Sequence, residues 1–364
     1  ARCLTMKKQL IVLLILCICL LCACNSSNSK KRIIGHVITA SSGTDSESTP
    51  FVIVTNEGKE IAIVMDTETF VMTLIDGIDV ESFRSGKTLD VMITAECDPF
   101  SSSLTTEEGK QIKAYKAKNI QIDAFLTKDA LRLADGRSID IWNYSDMTVY
   151  QQNDKTELLV VRDTSGPDNV FVDGIEGFNN LGEEAQANIQ SYYKKQGLLY
   201  DVNIELEKVY TYYKNTKNKS KFSSYTLSQE VSPTFSNEKV MFFLTSLMIP
   251  KDANHVYNEI RLGAAFNRET GKHISNWELF SCSVEEAKQT ILDLSKITDP
   301  VLRAEMETAL RPEYIILFTD NLEVYFPEGT LPSQEYGYIL ALDYDKDLCK
   351  ILNDWVIPSE QTQR

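Results

Sequence analysis

Three histidines, His36, His255 and His273, are the chain's whole supply of side chains that titrate near neutrality. None stands beside a serine or cysteine in a nucleophile-elbow setting. Gly-x-Ser-x-Gly, His-Glu-x-x-His, P-loop and dinucleotide-glycine patterns do not occur. His273 follows a turn and precedes an aliphatic residue, a setting for surface hydrogen bonding rather than proton transfer. Asp343-x-Asp345-x-Asp347 opens with the spacing of a calcium loop, but Leu348-Cys349 stands where the loop's turn glycine belongs. Asp168, Asp173 and Glu176 form a second acidic loop. Carboxylates are numerous, yet nothing singles out one pair for glycoside cleavage. The expectation is therefore no catalytic residue, no metal, no cofactor and no enzymatic activity.

Aromatic residues say more. Tyr192, Tyr193, Tyr200, Tyr210, Tyr212, Tyr213 and Tyr225 crowd one short region. A helix buries one stripe only, so some of these rings must face outward, and exposed tyrosine suits protein interfaces and sugar stacking. Tyr192, Tyr193, Tyr212 and Tyr213, with Tyr325 and Tyr336 further on, are the expected partner-binding set.

Of the eight cysteines, Cys3, Cys17, Cys19 and Cys22 lie in or before an apolar N-terminal segment that ends at Cys24. Cys97, Cys282 and Cys349 remain, an odd number at wide spacing. One disulfide with a free thiol is open to them; three isolated buried thiols fit the spacing better. No Cys-x-x-Cys or Cys/His cluster supports structural zinc.

The chain has 364 residues, 43% of them apolar, which suits globular order. Its formal net charge is −15; without residues 1–23, which hold Arg2, Lys7, Lys8 and no acid, it is 34 − 52 = −18. So acidic a chain repels phosphate backbones and anionic headgroups, so nucleic acid is excluded and a basic protein is favoured.

The elements that position these residues fall into two regimes. From Ile33 to about Asp123, β-branched runs and strict alternation (Leu89, Val91, Ile93, Ala95; Ile120, Ile122) predict five short strands. A long excursion between the third and fourth fits a small Greek-key barrel. Asp135-Gly136 and Asn153-Asp154 predict hairpin turns. Beyond Gly182, helical spacing takes over in Ala185, Ile189 and Tyr192/Tyr193, ended by Gly197, and again in Leu206, Val209, Tyr210 and Tyr213. Val240 to Ile249 and Ile260 to Phe266 read as strands. Ser283 with Glu286 opens one helix as a capping box, and Asp299-Pro300 opens another. Strands follow at Tyr314 to Phe318, Leu322 to Phe326 and Tyr336 to Leu342. The fold class is α+β: an N-terminal small β-barrel, then an antiparallel sheet with helices packed on one side. The expected divisions are 1–23, a tether at 24–32, a barrel at 33–125, a hairpin connector at 126–180 and the α+β domain at 181–358.

Lys7-Lys8 precede fourteen uncharged positions, Leu10 to Ala23, too few to span a bilayer but suited to a signal peptide. Met6 is the expected start. Leu21-Cys22-Ala23-Cys24 resembles the bacterial lipobox, with Cys22 where Ala, Ser or Thr is usual. That resemblance implies lipidation of Cys24 and a place on the outer face of the bacterial cytoplasmic membrane.

Thr55 to Lys59, Asp66 to Thr69 and Phe83 to Lys87 resemble the turns of OB-type domains in exported bacterial proteins. Residues 266 to 280, with the turn Thr270-Gly271-Lys272 and the ending Trp277-Glu278-Leu279-Phe280, form the most specific stretch. With Leu322 to Pro327 and Tyr336-Gly337-Tyr338-Ile339, they resemble the RsiV-type extracytoplasmic domain, shared with a peptidoglycan deacetylase as an accessory module. The likeness spans about residues 185 to 356. One departure is Arg261-Leu262-Gly263-Ala264-Ala265, where the family usually has a Gly-Gly-Ala-His-like segment. The resemblance implies a non-enzymatic binding or sensing lipoprotein for a lysozyme-like protein or peptidoglycan; the rival is a wall-modifying hydrolase or an accessory domain of one.

Overall fold

The computed structural model describes residues 30–40, 48–55, 57–106, 108–127, 131–167 and 178–357. The signal segment, Cys24, most of the tether and the loop of Asp168, Asp173 and Glu176 lie outside the described residues. The chain is a mixed α+β protein that divides into two units: residues 1–130 with 140–145, and residues 131–139 with 146–364.

In the first unit the expected strands form as β1 (Lys31–Ala40), β2 (Ser48–Thr55), β3 (Glu60–Asp66), β5 (Val91–Thr105) and β6 (Gln111–Leu126). The excursion holds a short strand β4 (Phe70–Thr73) and a helix α1 (Val80–Arg84). Asp79 caps α1 by accepting from the Glu81 and Ser82 amides. Antiparallel pairings link β3 to β2, β2 to β1, β1 to β5 and β5 to β6. A parallel pairing then links β6 back to β3. From Asn119 to Ala124 the alternation along β6 is strict: Ile120, Ile122 and Ala124 point inward with no exposure, while Asn119, Gln121 and Asp123 point outward. Phe83 of α1 enters the same core and stacks on Phe51, ring centroids 4.7 Å apart.

The second unit begins with β7 (Leu131–Arg132) and the start of β8 (Ser138–Tyr144), joined through Gly136 at φ 85°. β9 (Thr148–Gln152) and β10 (Glu157–Pro167) form a hairpin. Helices α2 (Glu183–Gln196) and α3 (Val202–Asn215) follow, then β11 (Tyr225–Ser236), β12 (Val240–Pro250), β13 (Tyr257–Asn267) and β14 (His273–Ile274). β10 and β11 run parallel, because the two helices between them form the crossover that a parallel pair requires. From β11 to β14 every pairing is antiparallel. Helices α4 (Val284–Leu294) and α5 (Pro300–Ala309) lead into a separate antiparallel sheet of β15 (Ile315–Leu317), β16 (Asn321–Phe326) and β17 (Tyr338–Asp343), and α6 (Lys346–Ile351) ends the fold.

Within residues 181–358 every described strand pairing is antiparallel, as expected; the parallel step β10–β11 joins that sheet to a strand of the expected connector. One expectation for this unit needs correction: the helices are not confined to one face. Met241, Phe243, Ala264 and Phe266 pack beneath Ala185, Ile189 and Tyr193 of α2. Their neighbours Val240, Phe242 and Ala265 point the other way, into a core shared with α4, α5, α6 and the three-stranded sheet. A strand covered on both faces is a near-continuous apolar run, as Val240 to Ile249 is apart from Thr245 and Ser246.

Candidate functional site

The six expected tyrosines divide. Tyr193 and Tyr325 are only 3% and 5% exposed, so their rings belong to the core and do not form open surface. Tyr192 is half-buried, edge-on to Phe266 at 5.0 Å and stacked on His273 at 4.7 Å. Burial lowers the His273 pKa below its ordinary value, with the Glu278 charge opposing. Tyr213 packs edge-on against Phe222 at 5.1 Å, with the Lys219 ammonium 4.4 Å from its centroid. Tyr212, Tyr325 and Tyr336 converge on one place, the turn between β12 and β13.

That turn is held by its carbonyls. Lys208 Nζ donates to the Pro250 oxygen at 3.3 Å, Tyr212 Oη to Lys251 at 2.7 Å and Tyr225 Oη to Asp252 at 2.9 Å. Three side chains thus satisfy three successive acceptors that would otherwise need water. Asp252 accepts from the Asn254 amide at 2.7 Å, and the backbone reaches φ 57° at His255, whose ring lies flat on Tyr225 with centroids 4.0 Å apart. A turn so constrained fixes the root of the Lys251 side chain. Its ammonium pairs with Glu328 Oε1 at 2.9 Å and sits 5.0 Å from the Tyr336 centroid. The Glu328 hydrogen bond raises the Lys251 pKa.

Beside this turn, Arg261 is almost enclosed. It pairs with Glu323 at 2.9 Å, approaches Glu259 at 3.9 Å and lies 5.6 Å from the Tyr325 ring. Tyr325 Oη donates to the Glu259 carbonyl at 2.7 Å. Burial first, and the Glu259 charge second, push its pKa up to about 12. Gly337 closes over that hydroxyl, where a Cβ would stand 2.5 Å from Tyr325 Oη. Glycine at 337 thus lets the segment carrying Tyr336 lie down on the sheet.

The outcome is an outward ring on a rigid base. Tyr336 is 60% exposed, and its phenol pKa is raised by a hydrogen bond and charge from Glu335. Glu328 and Glu335 flank Lys251, and Glu259 and Glu323 flank Arg261, so four carboxylates face these two cations, both already paired. No nucleophile–base pair stands here. The arrangement suits recognition of a cationic surface, with the ring offering a π-face and the acids a field.

Other candidates take structural roles. Asp345 caps α6 by accepting from the amides of Asp347 and Leu348 at 2.9 and 2.8 Å, and Asp347 pairs with Lys350 at 2.8 Å. No group of three or more His, Cys, Asp or Glu among the described residues is placed to hold a metal. All three described cysteines are free thiols, but only Cys97 is fully buried; Cys282 and Cys349 are half-buried, which corrects the expectation of three buried ones. A largely apolar groove of about 910 Å³ lies between α5 and residues 329–332, with Val301, Tyr314 and Pro332 in its lining. No helix among the described residues is long and apolar enough to cross a membrane.

Lys251, Arg261 and Asn276 are the residues that sequence reasoning passed over. A signal existed for the first: Pro250-Lys251-Asp252 closes the apolar run of β12 and marks a turn at the sheet's end.

No family model and no curated protein matches this chain. Among solved structures, a DUF3298 family member from Bacteroides fragilis is similar at 11% identity and a TM-score of 0.37, covering 66% of this chain and 97% of that one. A likeness so weak carries no functional argument.

Proposed function

We propose that the chain is a non-enzymatic binding module of the bacterial envelope, lipidated at Cys24 and held on the outer face of the cytoplasmic membrane. Its second unit takes a cationic, lysozyme-like protein on the face around Tyr336. The carrying observation is the exposed Tyr336 ring beside Glu328, Glu335 and Lys251, next to a turn fixed by Lys208, Tyr212 and Tyr225. A pre-ordered anchor costs little entropy on binding, and tyrosine rings near the centre of an interface are frequent hot spots. The RsiV-type resemblance points the same way. Its most specific stretch supplies the β13–β14 turn and a helical turn at Asn276–Leu279 closed by a reciprocal Ser275–Glu278 capping box.

The first unit is read as an OB-like barrel. Support comes from the circuit of pairings β1–β2–β3–β6–β5–β1, the parallel β3–β6 step and the helix placed before β5. The anchor reading rests on residues 7 to 24. Labelled palmitate should enter the expressed protein and be lost in Cys24→Ser; equal labelling of both proteins, or none, refutes the anchor. For the partner, a pull-down with a basic muramidase should succeed at low salt and fade at high salt.

A further inference from the structure

The outer face of the first unit carries a feature separate from the site above. β4, β6, β5 and β1 lie side by side, and their register sets outward residues in two rows. Phe70 faces Asn119, Asn119 faces Glu96, and Glu96 faces Arg32. One step on, Met72 faces Gln121, Gln121 faces Thr94, and Thr94 faces Ile34. At about 4.8 Å per strand, each row spans about 14 Å. All of these residues but Ile34 help to line a shallow depression of about 350 Å³.

Its two halves differ in chemistry. At the β4 end Phe70 is 60% exposed and Met72 38%, with Leu74 beyond them at 47%. Large apolar side chains at alternate positions of one strand, all turned to water, need a reason. In the middle stand two amides held in fixed orientation. Asn119 Nδ2 donates to Glu96 Oε2 at 2.8 Å, and Gln121 Nε2 donates to Asp123 Oδ1 at 2.6 Å. Thr94 Oγ1 donates to the other Asp123 oxygen at 2.7 Å. Each amide retains a second N–H and its carbonyl oxygen for a ligand. Charge is balanced: Lys30, paired with Glu96 at 2.9 Å, and Arg32 offset Glu96 and Asp123.

We propose that this platform binds an uncharged glycan strand. A pyranose has an apolar C–H face and an edge dense in hydroxyl or N-acetyl groups, which matches an open ring beside orientated amides. A charged polymer gains nothing from a balanced face. A lipid chain would need a deeper and drier cleft than one half-lined by amides and ions. The site does not depend on the second unit's partner, so either can fail alone.

Titration calorimetry of the whole protein with an uncharged N-acetylglucosamine tetramer, and with cellotetraose, tests it. Binding of at least one is expected, little changed by salt. Phe70→Ala should weaken it about tenfold, and Gln121→Ala should weaken it measurably. Because Phe70 stands mostly in solvent, its variant should keep the wild-type melting temperature and its binding of a basic muramidase. Absence of heat with both sugars overturns the proposal, as does undiminished sugar binding by Phe70→Ala. Capture of an extended peptide along β4 in place of either sugar also overturns it.

Discussion

Gly263 and Asn276 meet at one point of the backbone and show how a single position can hold two sheets together. Asn276 is 2% exposed, and its Nδ2 donates to the carbonyls of Gly263, Pro312 and Ile315 at 3.0, 2.7 and 3.1 Å. A Cβ at Gly263 would collide with the Ile315 carbonyl and the Phe242 ring. Gly263→Ala is therefore expected to destabilise by about 1–3 kcal/mol through overpacking, and Asn276→Ala by a similar amount through unsatisfied buried carbonyls, both read by urea unfolding. In sequence Gly263 stands out only as part of Gly263-Ala264. Asn276 does not stand out at all, because its three acceptors come from segments up to 39 residues away. Tyr193 and Tyr325 were legible as notable rings but not as buried ones. Helical spacing places Tyr192 and Tyr193 side by side without saying which ring Phe243 and Phe266 will cover. His273 provides a pH test. Its folded pKa lies below the ordinary 6.5, so the neutral form is the one folding favours. Stability should be fully present above about pH 6.5 and decline as pH falls through the folded pKa, because the unfolded chain takes the proton more readily. His273→Gln should flatten that part of the pH profile of the unfolding free energy; an unchanged profile would assign it to other groups.

At the scale of elements, strands and caps were the readable part. Period-2 alternation located β1, β2, β3, β5 and β6, and Asp299-Pro300 marked the start of α5, where Asp299 accepts from the Val301 amide at 2.9 Å. Packing side was read less well. The run Val240 to Ile249, interrupted only by Thr245 and Ser246, is the signal of cover on both faces of β12, although antiparallel sheets often leave one face wet. The parallel step β10–β11 was hidden for another reason: spacing identifies α2 and α3 as helices but does not state that they carry the chain across the sheet. Asp343-x-Asp345-x-Asp347 shows one pattern serving two chemistries. Carboxylates two apart suit a calcium loop, and they equally suit an aspartate whose oxygens reach the next two free amides of a helix. Asp345→Ala should cost about 1 kcal/mol as a lost cap. Millimolar calcium should leave the wild-type melting temperature unmoved; a rise abolished by Asp345→Ala would restore the metal reading.

For the whole molecule, charge is the organising quantity. Of the net −15, the first unit carries 14 − 17 = −3 and the second 23 − 35 = −12; such a field draws cations toward the second unit, but it is screened within about 8 Å at physiological salt. Steering then comes from the field and specificity from local contacts, foremost the Tyr336 ring above Lys251 and Glu328. Composition made the sign of the proposed partner legible. The place of contact was not, because Tyr212, Tyr325 and Tyr336 come together only when the β12–β13 turn reaches the segment 328–337. The most direct measurement is titration calorimetry of the full protein with a basic muramidase at low and high salt, beside Tyr336→Ala. Saturable binding, at least tenfold weaker in high salt and again about tenfold weaker in Tyr336→Ala, is the expected result. Absence of binding at low salt, or binding that Tyr336→Ala leaves intact, would contradict the account.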